Sequence, residues 1–265
     1  MSRLVDSLVA SLITQQVAML HAGLRLEAGS DDEALHDLRI GVRRLRSLLT
    51  PLRRAADLPP LYEAAAALGT LSAPVRDLEV LAAELEERGY AELASVRREH
   101  LADRYAAILD SHELQRLLAL LDAWPGELRD AQRDGELRRL KARIQRHLHK
   151  QAKRLASALA TPGYDRHRLR LLVKRVRYAA ETYPQLSDLS KRSLASLRAT
   201  QSALGDWHDH FQWCARIAHE PDLEPLRAHW QQCAEAALAT AEKTLKDLSK
   251  ALKKDGYTSR VLSPS

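Results

Sequence analysis

One basic segment occurs twice in the 265-residue chain, and this recurrence limits the possible folds more than any other feature. Residues 36–46 read HDLRIGVRRLR and residues 167–177 read HRLRLLVKRVR, and the two align without a gap. A second pair follows them, SAPVRD at 72–77 and LGDWHD at 204–209, and we expect a helix to begin at each. Self-similarity of this kind predicts an internal duplication. We therefore expect two copies of one bundle.

The composition predicts that these copies are helical. Hydrophobic residues make up 45% of the chain but aromatic residues only 5%, and there are just 10 Gly and 10 Pro. Few aromatic and turn-forming residues disfavour a β-sandwich or barrel, whereas abundant Ala, Leu, Arg and Glu favour long helices. The predicted fold class is all-α.

Turn-forming residues indicate where the two halves meet. Pro125-Gly126 and Asp134-Gly135 bracket the weakest helical stretch. We therefore expect a first half of about 1–125, a second half of about 136–254 and a frayed tail of 255–265. Helices are predicted at about 30–51, 61–71, 75–87, 91–109, 113–123, 136–159, 165–183, 188–204, 206–218 and 222–252.

Two patterns near the start of the chain predict local structure. Ser30 and Glu33 have the spacing of a capping box, in which the serine caps a helix and the glutamate reaches back to it. Residues 7–24 carry no charged side chain, but they include one Thr, two Gln and one His, which are too polar for a bilayer core. We predict a well-buried helix there rather than a membrane span.

The cellular location is predicted from what surrounds this stretch. Asp6 interrupts the place where the apolar core of a signal peptide would begin, and no small-residue cleavage site follows. Cys214 and Cys233 lie in apolar helical patterns, which is typical of reduced, buried thiols. A cytoplasmic location is expected.

Each copy of the repeat places one histidine and three cations on one side of its helix. At about 100° per residue, Arg39, Arg43 and Arg46 fall within about 80° of His36, beside an apolar sector that contains Leu38. The first stripe is defined as His36, Arg39, Arg43 and Arg46, and the second stripe as His167, Arg170, Lys174 and Arg177.

A solvated helix face is the ordinary explanation for such a row of charges. Two observations argue against it here: acidic partners at i,i+4 are missing from the stripes, and the row recurs in a copy whose other surface residues differ. Like charges one turn apart repel, so the row is costly unless a ligand supplies negative charge. Guanidinium groups bind phosphate oxygens in pairs, so a linear chain of phosphates fits the spacing. The net charge of +6 agrees with a polyanionic ligand but is weak support alone.

These residues resemble a known family. The paired H-x-L-R-x-x-x-(R/K)-R-x-R segments, with Arg76-Asp77 after the first and Leu204-Gly205-Asp206-x-His208-Asp209 after the second, are similar to the CHAD family (conserved histidine α-helical domain). The resemblance covers nearly the whole chain, which implies a single domain of 1–265. It implies two pseudo-symmetric antiparallel helical bundles that form one compact unit with a basic central cleft or pore.

The resemblance also implies a ligand. Members of the family bind inorganic polyphosphate and associate with polyphosphate granules. Many relatives carry a triphosphate-tunnel domain whose E-x-E-x-K strand is absent here, which implies a stand-alone module. Carried over by position, the site residues are His36, Arg39, Arg43, Arg46, His167, Arg170, Lys174 and Arg177, with Arg44, Arg76, Arg175 and His208 as further members.

Two other functions remain open. His36-Asp37 and His208-Asp209 are typical of HD-type metal phosphohydrolases, but the repeat replaces Asp37 by Arg168 and His208 by Arg76. Arginine cannot ligate a metal, although it can replace histidine as an anion contact. A nucleic-acid-binding helical module is the other alternative, but such proteins add base-reading or stacking groups to their cations, and the stripes lack them. We expect no catalytic residues, metal or cofactor.

Two further expectations concern individual residues. Arg39→Ala and Arg170→Ala should weaken binding equally without unfolding the protein, because the stripes border the core. Neighbouring Arg39 and Arg43 should lower the pKa of the His36 imidazole.

Overall fold

A computed structural model describes residues 2–52 and 59–258. In that part of the chain the regular elements are α-helices and short 3₁₀ turns, with no strand. The prediction of an all-α protein is confirmed. The chain divides into two compact units between Arg143 and Ile144.

The first unit contains the helix of the first stripe, α2, and packs it against two neighbours. Its helices are α1 (Ser2–Glu27), α2 (Ala34–Leu49), α3 (Pro59–Leu71), α4 (Ala73–Glu87), α5 (Ala91–Arg98), α6 (Leu101–Leu109) and α7 (His112–Arg133). Helix α1 packs on α2 and α7, α2 on α3, α3 on α7, and α4 on α5. A glycine lets α1 approach α2 closely, because a Cβ at Gly41 would lie 2.5 Å from Met19 Cγ.

The prediction of a well-buried first helix is only half right. The inner face of α1 is buried, but Ile13, Val17, Leu20 and Leu24 on its other face are exposed. By length and composition alone, residues 3–27 would be sufficient to cross a membrane.

The second unit contains the remaining helices and the second stripe. These are α8 (Leu140–Ala160), which begins before the division, α9 (Arg166–Thr182), α10 (Lys191–Arg216) and α11 (Arg227–Lys254). Helix α10 packs on α9 and α11, and leucines and alanines of all four helices share one core. Asp165 caps α9 through Arg168 N at 2.7 Å, so the stripe begins at a well-defined helix end.

Two predicted helix ends are wrong because burial outweighs a helix-breaking residue. Helix α7 continues through Pro125, and the preceding residue, Trp124, is buried with only 1% of its surface exposed. Helix α10 continues through Gly205, next to the fully buried Leu204, so no helix begins at 204–209. A mid-helix proline costs about 3 kcal/mol and a glycine about 1 kcal/mol. Burying large apolar side chains on both sides contributes more.

Other local predictions are also corrected. Ser30 does not cap α2, because its Oγ donates to Arg25 O at 3.3 Å, and Asp31 Oδ1 accepts instead from Glu33 N at 2.6 Å. The single helix predicted at 91–109 is two helices, α5 and α6.

The chain is ordered past the predicted start of the frayed tail. Asp255 Oδ2 accepts hydrogen bonds from Ser190 N at 3.0 Å and Ser190 Oγ at 3.1 Å. Tyr257 is 5% exposed and belongs to the core of the second unit. The prediction of a frayed tail is therefore wrong for residues 255–257. Residues 259–265 of the predicted tail lie outside the described residues.

Candidate functional site

The first stripe lies along the edge of the core of its unit. Leu35, Leu38, Val42 and Leu45 of α2 are buried, and the four stripe residues are half-buried in the adjoining sector. The apolar periodicity of α2 therefore fixes which way the cations point.

Arg39 is built into the packing of the first unit. Its Nη1 donates to Gly69 O at 3.0 Å and to Ser72 Oγ at 2.8 Å, at the junction of α3 and α4. Ser72 is fully buried, and burial lowers the pKa of the Arg39 guanidinium. Arg39 therefore borders the core, as expected, and it also links α2 to the next two helices.

Arg46 lies at the other end of the first stripe, over an aromatic ring. Its Cζ is 5.7 Å from the centroid of Tyr62, within range of a cation–π contact. Its Nε is buried and has no hydrogen-bond partner.

Arg76 of α4 acts electrostatically on His36 and is paired with acidic residues. Arg76 Nη1 lies 2.9 Å from Glu79 Oε2, and Arg76 Nη2 lies 3.9 Å from Glu33 Oε2. Tyr105 of α6 donates to Glu79 Oε1 at 2.6 Å, and burial together with this bond raises the pKa of the Tyr105 hydroxyl. Tyr105 thus positions the carboxylate of Glu79, and that carboxylate in turn positions Arg76.

The pKa of His36 is lowered, as predicted, but mainly for another reason. Burial is the largest cause, and Arg76 and Arg43 add to it, while Glu33 and Asp37 oppose it. Arg39 is not among the causes. The positive charge of Arg76 is therefore close enough to act on the imidazole.

The second stripe lies on α9 in the same relation to its own core. Leu169, Val173 and Val176 are buried. His167 is exposed, and the other three members, Arg170, Lys174 and Arg177, are half-buried.

His208 of α10 approaches the first residue of the second stripe. The ring centroids of His167 and His208 are 5.0 Å apart. Burial, together with Arg170, His167 and Lys174, lowers the pKa of His208 to about 4. Its Nδ1 is buried and has no hydrogen-bond partner. His208 is therefore an uncharged imidazole at neutral pH, among cations.

One prediction about the second stripe is wrong: an acidic i,i+4 partner is present. Arg177 Nη1 lies 3.6 Å from Glu181 Oε1, and Glu181 also accepts from Arg198 Nε at 3.1 Å. Arg177 further lies over Tyr178, with its Cζ 4.6 Å from the ring centroid. Arg177 is thus partly neutralised, and this pair could have been predicted from the sequence spacing.

The structure brings most predicted site residues together within each unit. Arg76 joins the first stripe and His208 the second, whereas Arg44 and Arg175 are exposed and lie off the stripes. No sequence pattern predicts the contact of Ser72 with Arg39 or that of Tyr105 with Glu79, since both form only through tertiary packing. Among residues 2–52 and 59–258, no three His, Cys, Asp or Glu side chains form a group that could hold a metal ion.

An all-helical chain with cationic stripes beside two buried helix faces defines a class of basic helical proteins. The CHAD domain family matches residues 11–218, which is most of the chain, and the protein belongs to this family. CHAD domains occur in proteins associated with polyphosphate.

A solved structure supports this assignment. The chain is similar to the crystal structure of the CHAD domain from the plant Ricinus communis, with a TM-score of 0.68 and 27% sequence identity. The match covers 94% of this chain and 91% of that chain. No curated protein matches the sequence.

Proposed function

We propose that this protein binds inorganic polyphosphate through the first and second stripes, and that it does so without catalysing a reaction. In this proposal the six arginines and lysines of the stripes contact phosphate oxygens. Arg76 adds a cation to the first stripe, and His208 adds a titratable group to the second.

One observation carries the proposal. Arg76 and His208, which align between the two sequence copies, each act on the aligned histidine that begins a stripe: the charge of Arg76 lowers the pKa of His36, and the ring of His208 lies 5.0 Å from that of His167. Both units thus pair a stripe with a basic group from a following helix. If the stripes were ordinary solvent-exposed helix faces, we would not expect both units to place a basic residue beside the first histidine of the stripe.

The electrostatics of both stripes favour an anion. Half-burial already lowers the pKa values of His36, Arg39 and His208, which means that positive charge is costly at these positions. A bound phosphate chain offsets that cost with opposite charge and with hydrogen-bond acceptors. The phosphate groups would therefore be most strongly attracted where the cations are least hydrated.

Phosphate alone, rather than a nucleic acid, fits the side chains in the stripes. Two aromatic rings beside the stripes, Tyr62 and Tyr178, lie under the guanidinium groups of Arg46 and Arg177. Stacking of bases would have to displace these guanidinium groups, whereas a phosphate chain binds to them directly.

Competition binding tests the proposal. Labelled long-chain polyphosphate is displaced at fixed salt, in the presence of a chelator, by unlabelled polyphosphate, single-stranded RNA or duplex DNA. We expect polyphosphate to compete at least about tenfold better per phosphate than either nucleic acid. Equal or better competition by RNA or DNA contradicts the proposal, as does binding that disappears with the chelator.

A further inference from the structure

Helix α1 carries an apolar seam on its outer side. The outer seam is defined as Ala10, Ile13, Val17, Leu20 and Leu24, and all five residues are exposed. Their spacing alternates between three and four residues, which places them within about 80° on the helix. The buried residues of α1, including Leu12 and Met19, lie on the opposite side. The helix therefore has two apolar faces and only one of them is covered.

The outer seam lacks the charges of an ordinary solvent-facing helix. No Asp, Glu, Lys or Arg occurs at residues 7–24, although such residues make up 29% of the chain. The seam is flanked by Thr14, Gln16 and His21. An apolar 3-4 repeat is the pattern with which helices pack on each other as left-handed pairs. This pattern indicates another helix as the covering element.

We propose that the outer seam is a homodimer interface in which α1 packs antiparallel on α1 of a second copy. A twofold axis makes the same patch serve both copies, so a single helix face is sufficient. Two copies of a protein with net charge +6 repel elsewhere, but the uncharged seam does not.

Charge complementarity selects the antiparallel direction. The same 3-4 spacing continues through Asp6 to Arg3 at one end of α1 and to Glu27 at the other, and all three residues are exposed. One antiparallel register places Arg3 opposite Glu27 of the second copy, Asp6 opposite Leu24, Ala10 opposite Leu20 and Ile13 opposite Val17. A parallel pair would instead place Arg3 beside Arg3 and Glu27 beside Glu27. The antiparallel register also overlaps α1 along nearly its full length.

The size of the seam predicts a weak dimer. Four large apolar side chains that are 45% to 64% exposed form a patch on the order of a few hundred Å². Two such patches with their flanking residues bury less than about 1,200 Å², which is typical of reversible association. The dissociation constant is therefore expected in the micromolar range.

Sedimentation equilibrium of the full chain from about 1 to about 100 µM tests the dimer. Val17→Glu is compared with Val96→Glu, because Val17 on the seam and Val96 on α5 are almost equally exposed, at 59% and 58%. Wild type and Val96→Glu should dimerise alike, while Val17→Glu should raise the dissociation constant more than about tenfold. Leu20→Gln gives the same test if Val17→Glu alters the helical circular dichroism. A wild type that stays monomeric, or seam variants that dimerise normally, overturns the proposal.

A charge exchange tests the direction of the helices. Arg3→Glu should weaken the dimer severalfold, and adding Glu27→Arg should restore it, because each end then regains an opposite pair. Failure of the double variant to recover overturns the antiparallel arrangement. A monomer that instead sediments with anionic lipid vesicles would assign the seam to a membrane and overturn the dimer. Neither outcome affects the proposed binding of polyphosphate.

Discussion

The first and second stripes carry nearly the same residues but are supported by different neighbours. In the first unit Arg39 is held by Ser72, and Arg76 is held by Glu79. In the second, the positions that align with Ser72, Arg76 and Glu79 are Leu204, His208 and Phe211, respectively. The cations recur, whereas the hydroxyl and the carboxylate that hold them do not.

The comparison distinguishes the cations that both stripes share from the supporting residues that occur in only one unit. The shared part is the charge at one-turn spacing, which is the part that contacts phosphate in our proposal. The first unit adds a fixed cation braced by carboxylates, while the second adds an imidazole whose charge depends on pH. The two stripes should therefore respond alike to loss of charge and differently to loss of support or change of pH.

The largest expected effect is on affinity when a stripe loses two cations. Arg43→Ala with Arg46→Ala, and separately Lys174→Ala with Arg177→Ala, should each weaken polyphosphate binding about a hundredfold, since each removes two charge-assisted contacts. Arg44→Ala with Arg175→Ala is the matched control, because these exposed arginines lie off the stripes. Titration calorimetry measures all three. A control that loses as much as the stripe variants would show that only net charge matters.

The next effect is on stability and should be unequal. Arg39→Ala leaves Ser72 and Gly69 O without their donor, so the free energy of unfolding should fall by about 1–3 kcal/mol. Arg44→Ala should cost less, because Arg44 of the same helix is exposed and lies off the stripe. Urea unfolding of both variants measures the difference. Equal losses would mean that the contacts of Arg39 with Ser72 and Gly69 do not stabilise the first unit.

A smaller effect concerns pH. Folding lowers the pKa of His208 to about 4, so the unbound protein loses stability as pH falls from about 6.5 towards 4. Bound phosphate offsets the nearby cations and raises this pKa, so binding takes up a proton and affinity should rise severalfold as pH falls from about 7 to about 5.

His208→Arg, which copies the first unit, tests this assignment. It should flatten part of the pH dependence of affinity, while His219→Arg, at an exposed position, should not. An unchanged profile in His208→Arg would mean that His208 is not the titrating contact.

The smallest effect should come from the support behind Arg76. Tyr105→Phe removes the hydrogen bond to Glu79, which is only 9% exposed, so stability should fall by about 1 kcal/mol. Polyphosphate affinity should fall less than about threefold, because Arg76 keeps its carboxylate partner. Tyr90→Phe serves as the control, since the Tyr90 side chain is only half-buried and lies off both stripes. A larger loss of affinity than Arg76→Ala causes would contradict this indirect role.

The sequence was sufficient for the fold class and for the stripes. Both follow from local periodicity: Leu38 and Val42 alternate with His36 and Arg39 in a pattern that burial of one helix face requires. The continuity of α7 and α10 could not be predicted, because it depends on tertiary burial of Trp124 and Leu204.

The supports of the site were harder to predict than its cations. Glu79 lies three residues after Arg76, and Glu181 lies four residues after Arg177. Both ion pairs could therefore be predicted from the sequence spacing. Ser72 meets Arg39 across 33 positions, and Tyr105 meets Glu79 across 26, so only the folded chain shows these contacts.

The salt dependence of polyphosphate affinity tests the central claim most directly. If all six stripe cations contact phosphate, the logarithm of the binding constant should fall with the logarithm of salt with a slope of about −4, since each neutralised phosphate releases condensed counterions. Neutralising two cations of either stripe should make that slope shallower by about 1.4. A wild-type binding constant that hardly changes as salt is raised severalfold would contradict the account.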